Sequence, residues 1–287
     1  MMTQSGIQLR RDLVVSQQVI RGKPAYIVKH PASERFFRFG EYEYFISQQL
    51  DGNTSLDDIR RRVEDKFGAP LSANTLDQFI ERLRRLGVLE EDKAELPKVA
   101  AAPKRIQGNL LYLRFRAINP DRLLEKLSQS LRFFFTPAFV TGSALLIVAG
   151  FCLTLANGRE IALGLHRLYR FDALVLGWLV LFLVIVFHEF AHGLTCKHFG
   201  GRVREIGFLL LYLQPAMYCN VSDAWLFPEK SKRLWVTFAG AYFELFLWAL
   251  ATVVWRVTDP ATVVNYLALI VMATSAIKSL FNLNPLI

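Results

Sequence analysis

From residue 133 onward the chain is written in long apolar runs. Residues 133–156 hold no charge, 173–187 are uncharged and run straight into the polar stretch "HEFAHG", 234–255 carry only Glu244, and 263–281 carry only Lys278. At about 1.5 Å per residue each run, with its continuation, can cross a hydrocarbon core about 30 Å thick, so four transmembrane helices are expected. The first third is patterned differently. "AYIVKHPASERFFRF" predicts two short strands, 25–29 and 35–39, around a turn at Pro31 and Ser33. "GEYEYFISQQL" predicts a helix ending near Asp51-Gly52, and "TSLDDIRRRVEDKFG" a second one capped by Thr54 or Ser55 and stopped by Gly68. In the third, "SANTLDQFIERLRRLG", Leu76, Phe79, Ile80, Leu83 and Leu86 form one stripe. Three helices beside a hairpin predict a winged-helix domain over residues 1–92.

The expected fold is therefore mainly α: a small α+β winged-helix domain, then a polytopic α-helical membrane domain over 133–287. Residues 93–132 join them. "EEDKAELPKVAAAPKRIQG" has no periodicity and is read as linker. In the stretch that follows, Asn119 is expected to cap a helix with Pro120 at its first position. Leu123, Leu124, Leu127 and Leu131 share one face, which fits a helix lying on the membrane surface or a soluble docking helix.

Charge orients this arrangement. Residues 1–92 balance 14 Lys+Arg against 14 Asp+Glu, residues 93–132 hold 9 against 3, and residues 133–287 hold 11 against 8. The basic excess just before the first apolar run, and Arg202, Arg204, Lys230, Lys232 and Arg233 in the 200–233 loop, place both on the cytoplasmic side. Loops 157–172 and 256–262 are then external. "MMTQSGIQLRRDLVV" has no signal-peptide core, so the N-terminal domain is expected in the cytoplasm and the chain in the cell membrane as a multi-pass protein. Cys152, Cys196 and Cys219 show no paired spacing, and Cys152 and Cys196 read as small buried apolar residues.

The chemistry is concentrated in "HEFAH". On a helix, His188 and His192 share a face about 6 Å apart and suit one metal ion. Glu189 lies one residue on, beside the metal, where a carboxylate can take a proton from an activated water and pass it to a leaving amine. Three ionisable groups within five residues at membrane depth are costly without a use, and the spacing is the HExxH zinc-protease signature. His188 falls about 22 Å along a helix entering from outside near residue 173, so water must reach it from the cytoplasm. His198 reads as an interfacial residue. "VREIGFLLLYLQPAMY" is too short to cross; it is either a buried strand pair that could hold an unwound substrate extended, or a membrane-dipping loop. Asp223 suits a turn or cap better than a ligand. Glu244 is expected to pair with Lys278, with a role as substitute ligand the alternative.

Residues 173–287, with "HEFAH", "GGRVREIGFLLLYLQPAMYCNVSDAW" and "FNLNPLI", resemble the site-2 protease family of intramembrane zinc metalloproteases. The resemblance implies Zn²⁺ as cofactor, Glu189 as catalytic base and His188 and His192 as metal ligands. It also implies an Asn-x-x-Pro stretch, matched by Asn282 and Pro285, with Asn282 a substrate-binding candidate. In the family an Asp-Gly follows whose Asp is the third ligand; the sequence stops at Ile287, so that ligand is expected beyond it. Residues 1–92, with "LDG" and "LRRLGVLE", resemble the PqqD winged-helix peptide carriers, and the whole is similar to bacterial peptide zinc metalloproteases.

These readings imply an intramembrane zinc metalloendopeptidase acting on a peptide or membrane-associated substrate in peptide maturation or export. Its partners would be that substrate, the lipid bilayer and a peptide exporter. The N-terminal domain is expected to bind peptide along its hairpin edge near residues 25–29. A non-catalytic membrane component of peptide export is the alternative, though it has no need of a base beside the metal. A membrane-tethered regulator is disfavoured because the N-terminal domain lacks the net positive charge that nucleic acid binding needs.

Overall fold

The computed structural model describes residues 6–90, 106–109, 112–169, 171–211 and 214–282. It is mostly helical with small sheets, and divides into two compact units: residues 1–104 with 225–229, and residues 105–224 with 230–287.

The first unit opens with β1 (Gln8–Leu9), then β2 (Val14–Ile20), β3 (Lys23–His30) and β4 (Arg35–Gly40), which form an antiparallel sheet in the order β2-β3-β4. Helices α1 (Glu41–Gln49), α2 (Leu56–Phe67) and α3 (Ala73–Leu86) follow, and β5 (Leu89–Glu90) returns to pair with β1. Ser55 and Ser72 cap α2 and α3 by accepting from the N–H groups of Asp58 and Thr75. Gly68 and Gly87 end these helices at positive φ, 66° and 72°, where a Cβ would be strained. The core joins Val28 and Phe39 of the sheet to Ile46, Ile59, Val63, Leu76, Ile80 and Leu83 of the helices.

Two expectations are corrected here. The segment 25–29 lies in the central strand, paired on both sides, so among the described strands the outer positions belong to β2 and β4. Strand β2 itself escaped the sequence reading because its burial is inverted. Val19 is 71% exposed while Gln18 is 4% exposed and donates to the backbone oxygens of Trp225 and Phe227, which belong to this unit.

The second unit begins as strand, not linker. The segment 91–105 of the expected linker lies outside the described residues, but β6 (Ile106–Asn109) and β7 (Tyr112–Ile118) pair as a hairpin. Helix α4 (Asp121–Ser130) starts one residue later than expected, with Pro120 at the cap and the Asn119 side chain accepting from the Asp121 N–H. Then come α5 (Pro137–Ala156), α6 (Gly158–Leu165), α7 (Phe171–His198), β8 (Ile206–Leu211), β9 (Gln214–Cys219), α8 (Lys230–Val257) and α9 (Val263–Asn282). The expected external loop at 157–172 thus contains a helix and a 3-10 turn. Strands β8 and β9 form the hairpin that was one of two readings, and extend β6-β7 into a four-stranded sheet with β9 outermost.

Among the described residues four helices are long and apolar enough to cross a membrane: Pro137–Ala156, Ala173–His198, Lys230–Val257 and Val263–Asn282. Helix α8 is their hub and packs against α5, α7 and α9. Gly150 permits the α5 contact, since a Cβ there would lie 2.9 Å from the Ala249 Cβ. Around it Trp248, Trp255, Leu269 and Met272 form the core of the bundle. The leucine face of α4 docks on α7: Leu124 is fully buried and fills the space left by Gly193, while Leu123 stays exposed. Asp121 secures this docking by accepting from the Val203 N–H (2.8 Å) and from Lys197 (3.1 Å). Burial pushes the Asp121 carboxyl up, but those donors outweigh it and hold it below the ordinary carboxylate value. Cys196 is buried as expected, whereas Cys152 is exposed on α5.

Candidate metal centre

Both histidines of "HEFAH" lie on one face of α7, and α8 runs alongside with a stripe of its own. Val236, Gly240 and Glu244, each four residues from the next, meet His192 and His188 in turn. At the first step, His192 Nδ1 lies 2.6 Å from the Val236 carbonyl oxygen. A carbonyl can only accept, so this nitrogen carries the proton. At the second, Gly240 has no side chain, and a Cβ there would overlap the His188 ring. The ring therefore rests directly on the α8 backbone, a placement that only glycine permits. At the third, His188 Nδ1 lies 2.8 Å from Glu244 Oε1.

His192 thus uses Nδ1 as donor, which leaves its Nε2 as an acceptor, while His188 Nδ1 lies against Glu244 Oε1 and 3.5 Å from Asn282 Nδ2. The two Nε2 atoms are 3.0 Å apart. At this distance the two nitrogens share either a hydrogen carried by His188 Nε2 or a metal ion. A tetrahedral zinc with bonds of about 2.0–2.1 Å sets its nitrogen ligands about 3.3 Å apart, so the pair needs only a few tenths of an ångström of adjustment. The donor chemistry and the spacing fit zinc. Among the described residues no third His, Cys, Asp or Glu joins the two histidines as a ligand group.

Glu189 is half-buried and turns toward β9, where the Cys219 N–H donates to its carboxylate. Its neighbours in charge are His188, Lys278 and Glu244. Burial and the nearby carboxylate push the Cys219 thiol up, so it stays protonated.

Glu244 is fully buried and does not pair with Lys278 as the sequence suggested. Its oxygens accept from Asn282 Nδ2, at 2.9 Å and 2.7 Å, and Oε1 lies 2.8 Å from His188 Nδ1, while Lys278 Nζ lies 3.5 Å from Asn282 Oδ1. The alternative of Glu244 as a metal ligand also fails, because it holds His188 from the Nδ1 side, away from the facing Nε2 atoms. Asp223 accepts from the Arg202 N–H, a loop-fastening role. The His198 ring stacks on Phe135 at 4.0 Å, away from the pair. Asn282 stands beside the site through Glu244, and Pro285 lies outside the described residues. The sequence reading missed the α8 stripe; a glycine and a lone glutamate four apart in a crossing helix were its only visible sign.

Comparison with protein-family models, with curated proteins and with solved structures gave no match.

Proposed function

We infer that this chain is an intramembrane zinc metalloendopeptidase of site-2 protease type, with a PqqD-like winged-helix domain at its N-terminus. One observation carries the reading: two histidine Nε2 atoms face each other at 3.0 Å while each Nδ1 lies against an oxygen on α8. A zinc ion there would supply Lewis acidity to the scissile carbonyl and to a water molecule. His188 and His192 would hold it. Glu189, adjacent to the pair and oriented by the Cys219 N–H, takes the proton of the attacking water and returns it to the leaving amine.

Strand β9 suits the substrate. It is the outer strand of its sheet and ends at Cys219, whose N–H reaches Glu189, so a peptide added alongside β9 would pass the base in extended form. Unwinding is what a helical substrate needs before cleavage. The cell membrane, a cytoplasmic N-terminal domain, a peptide partner and an exporter complete the proposal, and nucleic acid has no place in it. A non-catalytic export component would share the histidine pair but would not need Glu189.

The test is Glu189→Gln in the full-length protein. It should keep its zinc and lose cleavage of a membrane-embedded peptide. Unaltered cleavage would remove Glu189 as the base.

A further inference from the structure

The buried carboxylate of Glu244 is unusual. It is fully excluded from solvent in the middle of an apolar helix, where an ionised group is costly unless it is compensated. It lies against a histidine ring nitrogen and one amide. Asn282 Nδ2 reaches both oxygens and lies 3.5 Å from His188 Nδ1, and Oε1 itself lies 2.8 Å from that nitrogen. A leucine would pack at such a position without cost, so the expense implies a task.

The geometry defines that task. A carboxylate on Nδ1 fixes an imidazole in the tautomer whose Nε2 lone pair is free, fixes the ring plane, and strengthens Nε2 as a donor to a metal. Here the carboxylate is itself steadied by Asn282 from a third helix. His192 receives the weaker version of the same treatment, a neutral carbonyl at Val236. The two histidines are therefore unequal, and the carboxyl group lies against His188.

We propose that Glu244 is a positioning residue for His188, and that Asn282 acts through Glu244 and not by touching substrate. The proposal rests on the zinc reading for its effect on metal affinity, but its structural core, the pinned His188 tautomer, does not. Glu244→Gln keeps an oxygen for Nδ1 but removes the charge and leaves the Asn282 amide facing another amide. Zinc affinity should fall about 10- to 100-fold, the usual cost of losing such a partner. Asn282→Ala should give a smaller loss of the same kind, and the double variant should lose less than the sum of the two, because both changes act on one chain of contacts.

The experiment uses the full-length protein in detergent. Zinc affinity by chelator competition, and the ligand-field spectrum of the cobalt-substituted protein, are read for wild type, Glu244→Gln, Glu244→Leu, Asn282→Ala and the double variant. The ¹⁵N spectrum of the metal-free protein reports the His188 tautomer directly. The leucine variant removes the buried charge, so it remains folded if the glutamine variant does not. The proposal predicts weaker zinc binding, an altered cobalt spectrum and, in Glu244→Leu, a His188 ring that populates both tautomers. Zinc affinity and cobalt spectrum equal to wild type in both Glu244 variants would overturn it, and so would an Asn282→Ala variant that changes KM for peptide alone. A wild type without zinc but with His188 pinned in one tautomer would refute the metallopeptidase reading and leave the positioning role standing.

Discussion

Replacing Gly240 by alanine is the smallest change that reaches the histidine pair without touching a polar group. The new Cβ would lie 2.5 Å from both nitrogens of the His188 ring, against an ordinary contact of 3.4 Å or more. The ring, or α8 as a whole, must retreat by about 1 Å, enough to forfeit much of an ordinary contact. A retreat of that size stretches the 2.8 Å contact between His188 and Glu244 and moves Nε2 off its partner. A misplacement of about 1 Å at a reacting centre costs on the order of 100-fold in rate, and overpacking costs about 1–3 kcal/mol of stability. Zinc affinity by chelator competition and thermal unfolding in detergent are measured side by side. Gly142→Ala is the control, because its Cβ meets nothing within 4 Å in a helix of the same kind. The expected result is a sharp loss of zinc affinity in Gly240→Ala and none in Gly142→Ala. An unchanged affinity in Gly240→Ala would refute the packing of His188 on α8.

Gly150→Ala should lower thermal stability by about 1–3 kcal/mol with zinc affinity intact, since its Cβ would meet Ala249 at 2.9 Å and backbone cannot swing aside. Asp121→Asn should cost about 1 kcal/mol or less at neutral pH, because the group is partly exposed. Its sign with pH follows from a folded value held below the unfolded one: the stabilisation is present above about pH 4 and is lost as pH falls further, so wild type and variant should converge in acid melts. A constant gap between the two curves would count against the Val203 and Lys197 contacts. A cysteine at position 157, at the end of α5, should react with an impermeant reagent in intact cells, and protection there would reverse the proposed orientation.

The apolar runs and the helix caps at Ser55 and Gly68 were legible in the sequence because each is a local signal. Length and uniform hydropathy suffice for a crossing helix, and a left-handed cap needs a glycine at one place. Strands β6 and β7 were hidden for a different reason. Leu113 and Phe115 alternate with Arg114 and Arg116, a period-2 pattern, but it was passed over between the stretch read as linker, which covers most of β6, and the helix expected from Asn119. In β2 the pattern itself misleads, with Gln18 inside and Val19 outside. At the histidine pair, His188, Glu189 and His192 announce themselves by spacing. The partners of the histidines do not, because a backbone carbonyl at Val236 and an absent side chain at Gly240 carry no chemical signature. Glu244 was visible as an intramembrane carboxylate, but its partner was decided by helix packing and proved to be His188, not Lys278.

The claim that everything else depends on is that His188 and His192 hold one metal ion between their Nε2 atoms. Metal content and zinc-edge X-ray absorption of the purified full-length protein test it most directly. The account predicts one zinc per chain, an imidazole signature of two nitrogens, and loss of the metal in His188→Ala and in His192→Ala. A chain that carries no zinc, or that keeps it when both histidines are replaced, would contradict it.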